Sequence, residues 1–260
     1  MPRPTQASID LSALAHNLTR VRQYVPHSRI MAVVKADAYG HGLLHTASAL
    51  KAVDGFALLE LNAAICLRDA GYQQPILLLE GFFSTEELAL FEQYRLSAVI
   101  HHSEQVSMLL DSKHHELDVF LKINTGMNRL GLAPEQFSRT INKLKENQCA
   151  NNITLMTHFA CADDPSEEKS VIQQLHCFEA TTEGYNHPRS LANSAAIIRY
   201  PRTRTDWVRP GIMLYGASPF ADQTASDLNL QPVMTLSSKI IAIHDLKIGD
   251  KVGYHGLFQA

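Results

Sequence analysis

The chain has 260 residues, of which 45% are hydrophobic and 19% charged, with a formal net charge of -3. These values fit a soluble globular protein with one or two domains and argue against a nucleic-acid partner held by bulk charge. No apolar stretch reaches the length of a membrane span, the start Met1-Pro2-Arg3-Pro4-Thr5-Gln6 does not begin a secretory signal, and Cys66, Cys149, Cys161 and Cys177 form no close pair, so reduced thiols in a cytoplasmic compartment are expected.

In chain order, eight short runs have strand character: residues 30–35, 55–59, 75–79, 96–100, 118–123, 153–159, 189–193 and 207–214. Helical patterns separate them, among them 61–70 closed by Gly71, 84–94 with a capping box at Ser84 and Glu87, 134–147, and 166–181. Strand and helix alternating eight times over roughly 200 residues predicts a (β/α)8 TIM-type barrel. The barrel spans 12–230. Past Gln231 the pattern changes to strand alternation at 233–236, 240–243 and 246–254, two or three strands that cannot bury a core of their own.

Barrel enzymes collect their chemistry at the carboxyl ends of the strands. Those ends carry Lys35, Glu80, His101, Lys122, His158, Asn193 with Ser194, and Arg209. Glu80 and His101 are read as solvated strand ends. Lys35 closes an apolar run and precedes Ala36-Asp37-Ala38-Tyr39-Gly40-His41-Gly42. A desolvated amine there can attack a carbonyl carbon, and a glycine-rich turn with a tyrosine hydroxyl can approach a phosphate. Together they suggest a Schiff-base lysine holding a phosphorylated aldehyde. Elsewhere His41 and His45 have helical spacing without the glutamate of a zinc-protease helix, and His101-His102 and His114-His115 look like surface pairs, so no metal is expected. Taken alone, Arg209 also fits a strand-end arginine paired with a carboxylate such as Asp206.

Several long motifs, in order along almost the whole chain, resemble alanine racemases: residues 32–42 (AVVKADAYGHG), 121–131 (LKINTGMNRLG), 157–160 (THFA), 192–194 (ANS) and 207–216 (WVRPGIMLYG). The resemblance implies a pyridoxal 5'-phosphate enzyme that interconverts L- and D-alanine by two-base proton transfer through an external aldimine. It would supply D-alanine for peptidoglycan or take part in alanine catabolism. Lys35 would hold the cofactor and act as the base on one face. Tyr39, Ser194 and the amides of Gly211 and Ile212 would hold the phosphate, Asn193 would be a further cofactor-binding residue, and His158 would lie against the ring.

Arg209 would face the ring nitrogen, and as a donor only it would keep that nitrogen unprotonated and the ring a weak electron sink. Related barrel decarboxylases resemble the chain less and place an acidic residue there. Lys122 and Arg129 would be two cations in one pocket. In the family the corresponding lysine is carbamylated and orients the arginine toward substrate carboxylate and cofactor oxygen.

The resemblance further implies a homodimer and, at 231–260, the beginning of a second, all-β domain that a strand at 7–11 also joins. The family's opposite-face base is a tyrosine of the second domain, whose motif is missing here; Tyr254 precedes the expected motif and does not match it. A C-terminally truncated racemase of low activity is therefore the expectation. The alternative is a non-catalytic pyridoxal-phosphate-binding barrel of vitamin B6 homeostasis.

Overall fold

A computed structural model describes residues 3–112 and 117–260. Met1 and Pro2, at the start read as no secretory signal, and the His114-His115 pair lie outside the described residues. The chain divides into two compact units, one spanning Ile9–Val233 and the other gathering the chain before Ile9 and after Val233.

Strand β1, Gln6–Ile9, is followed by Asp10, whose carboxylate accepts from the Ser12 and Ala13 amides and so starts helix α1, Leu11–Tyr24. Eight parallel strands then close a barrel in sequence order: β2 Arg29–Val33, β3 Gly55–Leu58, β4 Ile76–Leu78, β5 Ser97–Ile100, β6 Asp118–Lys122, β7 Asn152–Met156, β8 Arg189–Ser190 and β9 Trp207–Val208. Closure is made by β9 against β2, with Arg29 opposite Trp207 and Ile30 opposite Val208. The expected (β/α)8 barrel is therefore the observed fold.

Alternation along each strand builds two cores. Met31, Val33, Ala57, Leu77, Val99, Phe120, Met156 and Trp207 point into the barrel. Their neighbours Ile30, Ala32, Phe56, Leu58, Ile76, Leu78, Val119 and Leu121 point out into the layer of helices. Trp207 fills the end where the strands begin. It sits under the Arg29 guanidinium, 4.2 Å from its ring centroid, and Gly55 beside it lets the neighbouring strand approach, since a Cβ there would stand 3.0 Å from the Pro75 carbonyl. The apolar plug leaves the carboxyl end for polar groups.

Every barrel strand is shorter than the run read from sequence, most of all those expected at 189–193 and 207–214. Asn193 leaves the ladder to cap helix Ser194–Arg199, its side-chain oxygen accepting from the Ala196 amide at 3.0 Å. Pro210 has no N–H to donate, although its carbonyl still accepts from Val33 N at 3.0 Å. The capping box at Ser84 and Glu87 is also not formed as expected. Glu87 accepts from the Phe83 amide at 2.8 Å, one residue early, and the Ser84 hydroxyl caps no amide of helix Thr85–Gln93.

In the other unit β1 pairs with β10, Met234–Ser237, and β11, Lys251–Val252, pairs with β12, Phe258–Gln259. The strand expected at 240–243 does not form. Ile240, Ile241 and Ile243 are 80–89% exposed, and an apolar run without a neighbouring ladder has no partners for its backbone. Among the described residues no helix is long and apolar enough to cross a membrane.

Candidate active site

A cavity of about 530 Å³ opens where the barrel strands end. Its wall includes all ten residues singled out from sequence: Lys35, Tyr39, Lys122, Arg129, His158, Asn193, Ser194, Arg209, Gly211 and Ile212. Glu80 lines it too, and so does Asp163, which sequence reasoning passed over. His101 lies beside the wall, its Nε2 donating to the Glu80 carbonyl at 3.0 Å.

Lys35 stands two residues past β2 at the head of an unusual turn. Ala36, Asp37, Ala38 and Tyr39 have φ of 53°, 50°, 55° and 55°, so four L-residues in a row make a left-handed helical turn. Each costs about 1–2 kcal/mol, and such residues normally occur singly. The surroundings hold the turn: Gly40 and Gly42 carry the chain out at positive φ, Asp37 accepts from the Leu43 amide at 2.7 Å, and His41 Nδ1 donates to the Ala38 and Tyr39 carbonyls. His41 is thus a cap. The turn brings Tyr39 round beside Gly211, so close that a Cβ on residue 211 would stand 2.6 Å from the Tyr39 hydroxyl oxygen. That hydroxyl makes no hydrogen bond among the described residues.

Next to it, Ser194 Oγ accepts from the Gly211 amide at 2.9 Å and lies 3.5 Å from the Met213 amide. Tyr39, Ser194, Gly211 and Ile212 form a cup of hydroxyls and backbone against the end of β9.

Arg209 is 3% exposed and faces no carboxylate. Its Nη1 donates to Ser190 Oγ at 2.6 Å, and its Nη2 donates to the Thr157 carbonyl at 2.7 Å and the Leu191 carbonyl at 3.2 Å. Asp206, the alternative partner, instead accepts from the Arg189 amide. Arg209 Nε has no partner among the described residues. Burial pulls the guanidinium down to about 9, which leaves it a cation at neutral pH. Nη2 also meets His158 Nδ1 at 3.3 Å. A guanidinium only donates, so Nδ1 accepts and the proton of a neutral His158 sits on Nε2. Burial, with Arg209, Lys122, Arg129 and Lys35 adding to it, holds His158 well below the usual histidine range and hence neutral.

Lys122 ends β6 and is 5% exposed. Burial first, then Arg209 and Arg129, pull its amine down to about 7, with Glu80 opposing. Among the described residues it makes no hydrogen bond or ion pair. The cavity therefore concentrates Lys35, Lys122, Arg129 and Arg209 against two carboxylates, and its chemistry suits an anionic ligand carrying a group for an amine to capture.

Behind the wall, Thr157 Oγ1 pairs with Thr125 Oγ1 at 2.8 Å, and Gln174 donates to the His158 carbonyl at 3.2 Å while accepting from the Ala160 amide at 3.0 Å. Thr125 and Thr157 stand in the motifs quoted from the sequence, whereas Gln174 is an ordinary polar residue of its helix and carries no motif.

Residues 9–219 match the family model described as "Alanine racemase, N-terminal domain". An alanine racemase of Nitrosospira multiformis is 58% identical over 261 residues, and one of Nitrosomonas europaea is 60% identical over 264. In each case the match covers 100% of this chain and 73% of the relative. The crystal structure of a biosynthetic alanine racemase from Pseudomonas aeruginosa superimposes with a TM-score of 0.94 at 39% identity, over 100% of this chain and 73% of that one.

Proposed function

The chain belongs to the alanine racemase family and is on that ground an amino-acid racemase acting on alanine; from this premise we propose that it works with pyridoxal 5'-phosphate held in the barrel cavity. The residues fit that group. Among the described residues the Tyr39 hydroxyl and Arg209 Nε are donors without partners, and a Cβ at residue 211 would stand 2.6 Å from the Tyr39 hydroxyl oxygen. The cluster of cations calls for an anion. Tyr39, Asn193, Ser194, Gly211 and Ile212 would hold the phosphate, Arg209 an acceptor on the ring, and Lys35 the aldehyde carbon. When bound, the cofactor supplies a carbonyl that condenses with amines and a conjugated ring that draws electron density from the bond to the α-hydrogen of the amino acid.

The chain's own groups then divide the work. Lys35 Nζ takes and returns the α-proton on one face. Arg209 only donates, so a ring acceptor held against it would stay unprotonated and the electron sink weak, which would favour return of the proton to the carbon it left. Neutral His158 presents Nε2–H and adds no charge to an already cationic wall. Arg129 binds the substrate carboxylate. Lys122, with its amine pulled down to about 7, is a nucleophile at neutral pH, and by adding to carbon dioxide with loss of a proton it would become a carbamate anion near Arg129 and Arg209, removing a repulsion that buried like charges otherwise suffer.

What carries this reading is that Lys35, the Tyr39–Ser194–Gly211 cup and the Arg209–His158 pair line one cavity. The non-catalytic alternative has no such support, since the relatives of high identity are racemases. Borohydride reduction of the protein loaded with pyridoxal 5'-phosphate, followed by peptide mapping, should place the pyridoxyl group on Lys35. An adduct on Lys122, or none, would remove Lys35 from its role.

A further inference from the structure

Tyr215 does not line the cavity, yet it touches both halves of the cup. It is 6% exposed and closes the 3-10 turn Ile212–Tyr215, the same turn that supplies the Ile212 amide. Its ring stacks on Tyr39 with centroids 4.6 Å apart and planes 30° from parallel, and the His41 ring packs on it at 4.7 Å. Its hydroxyl donates to the Val33 carbonyl at 2.9 Å, anchoring the ring to the last residue of β2, two before Lys35. Tyr39 itself is 37% exposed and sits on backbone at φ 55°. Among the described residues its phenol makes no hydrogen bond, and its ring stacks on Tyr215 beside Gly211.

Resting on the reading that Tyr39 holds a phosphate, we propose that Tyr215 is a positioning residue: its stacked ring aims the Tyr39 hydroxyl into the phosphate cup. A stacked aromatic pair is worth about 0.5–1.5 kcal/mol beyond its buried area, a factor of roughly 2 to 12 in a binding constant.

The experiment compares dissociation constants for pyridoxal 5'-phosphate and for pyridoxal, which lacks the phosphate, using the whole chain. Tyr39→Phe should lower the preference for the phosphorylated form; if the preference does not change, Tyr39 does not hold the phosphate and the parent reading fails. Tyr215→Leu should lower the same preference about three- to tenfold and leave pyridoxal affinity unchanged, and Tyr215→Met, which leaves less of a void, should do likewise. Tyr215→Phe keeps the stack and should stay within about twofold of the parent chain. In a Tyr39→Phe background, Tyr215→Leu should lower the preference no further. An equal drop in both backgrounds, or an equal loss of both ligands, would mean that Tyr215 supports the fold without aiming Tyr39. A loss in Tyr215→Phe as large as that in Tyr215→Leu would shift the effect from the ring to the Val33 hydrogen bond and overturn the proposal.

Discussion

Within the cavity wall, the Arg209 guanidinium and the Lys122 amine are both buried cations, and they resolve burial differently. Arg209 stays charged because Ser190, Thr157 and Leu191 accept its hydrogens. Lys122 has no acceptor among the described residues and loses its proton more readily, which makes it a stability sensor. An unfolded lysine titrates near about 10.4, whereas folded Lys122 titrates at about 7. Between those values the unfolded chain binds the extra proton, so stability rises with pH from about 7 to about 10 and this contribution is flat below. His158, with its folded value depressed, acts in a lower window and lowers stability as pH falls below about 6.5. In carbon-dioxide-free buffer, Lys122→Met should therefore raise stability at pH 7 by about 2–4 kcal/mol and flatten the rise toward pH 10 in urea titrations. With labelled bicarbonate, the parent chain should show one carbamate carbon resonance that Lys122→Met lacks. A parent chain equally stable at pH 7 and pH 10 would discount the depressed amine. At this scale most of the charged and hydroxyl groups that line the cavity were legible because they stand at strand ends or in a motif, whereas Asp163 and Ser218 were passed over. The motifs contain Tyr215 and Thr157 without showing their parts, and Ser190 lies in none, because those parts depend on contacts to residues 19 to 182 positions away.

Among the elements, the strands were legible because β-branched and aliphatic runs alternate between two buried faces. Their ends were less so, since Asn193 and Pro210 divert the backbone for reasons of capping and missing donors. Helix 134–147 was read almost to the residue as Pro134–Glu146, with proline in its first turn. The left-handed turn after Lys35 was invisible, because alanine and aspartate have no preference for it and the surroundings alone impose it. A second device invisible in sequence lies at the opposite end of the barrel. Arg68 donates from Nε to the Tyr94 carbonyl, from Nη1 to those of Tyr72 and Gln74, and from Nη2 to that of Arg95, all at 2.7 Å, pinning the chain where it enters β4 and β5. Arg68→Ala should lower stability by about 2–3 kcal/mol, and Arg68→Lys should recover less than half, because an ammonium has three donors and no planar fork. Since Arg68 is remote from the cavity, kcat should be unchanged. A loss under about 0.5 kcal/mol would show that water replaces the guanidinium at these carbonyls.

Across the whole barrel unit, order in space and order in time need not agree. The turn from Ala36 to Tyr39 is local in sequence, so contact distance alone would have it form early. Four left-handed residues, at about 1–2 kcal/mol each, make it improbable in an open chain. It becomes stable only once helix Leu43–Ala49 is in place to receive Asp37 and, through contacts that join the first and last strands of the barrel, β2 lies against β9 and Gly211 backs Tyr39. Loop closure over that span is slow relative to helix formation. During refolding, the capacity of Lys35 to be trapped by pyridoxal 5'-phosphate and borohydride should lag the recovery of helical circular dichroism and track burial of Trp207, the single tryptophan, on the closing strand. Trapping that keeps pace with the helical signal would mean that the turn forms unaided. Otherwise the lysine is armed only by a finished barrel, and a nascent or misfolded chain cannot sequester an aldehyde it is unable to use.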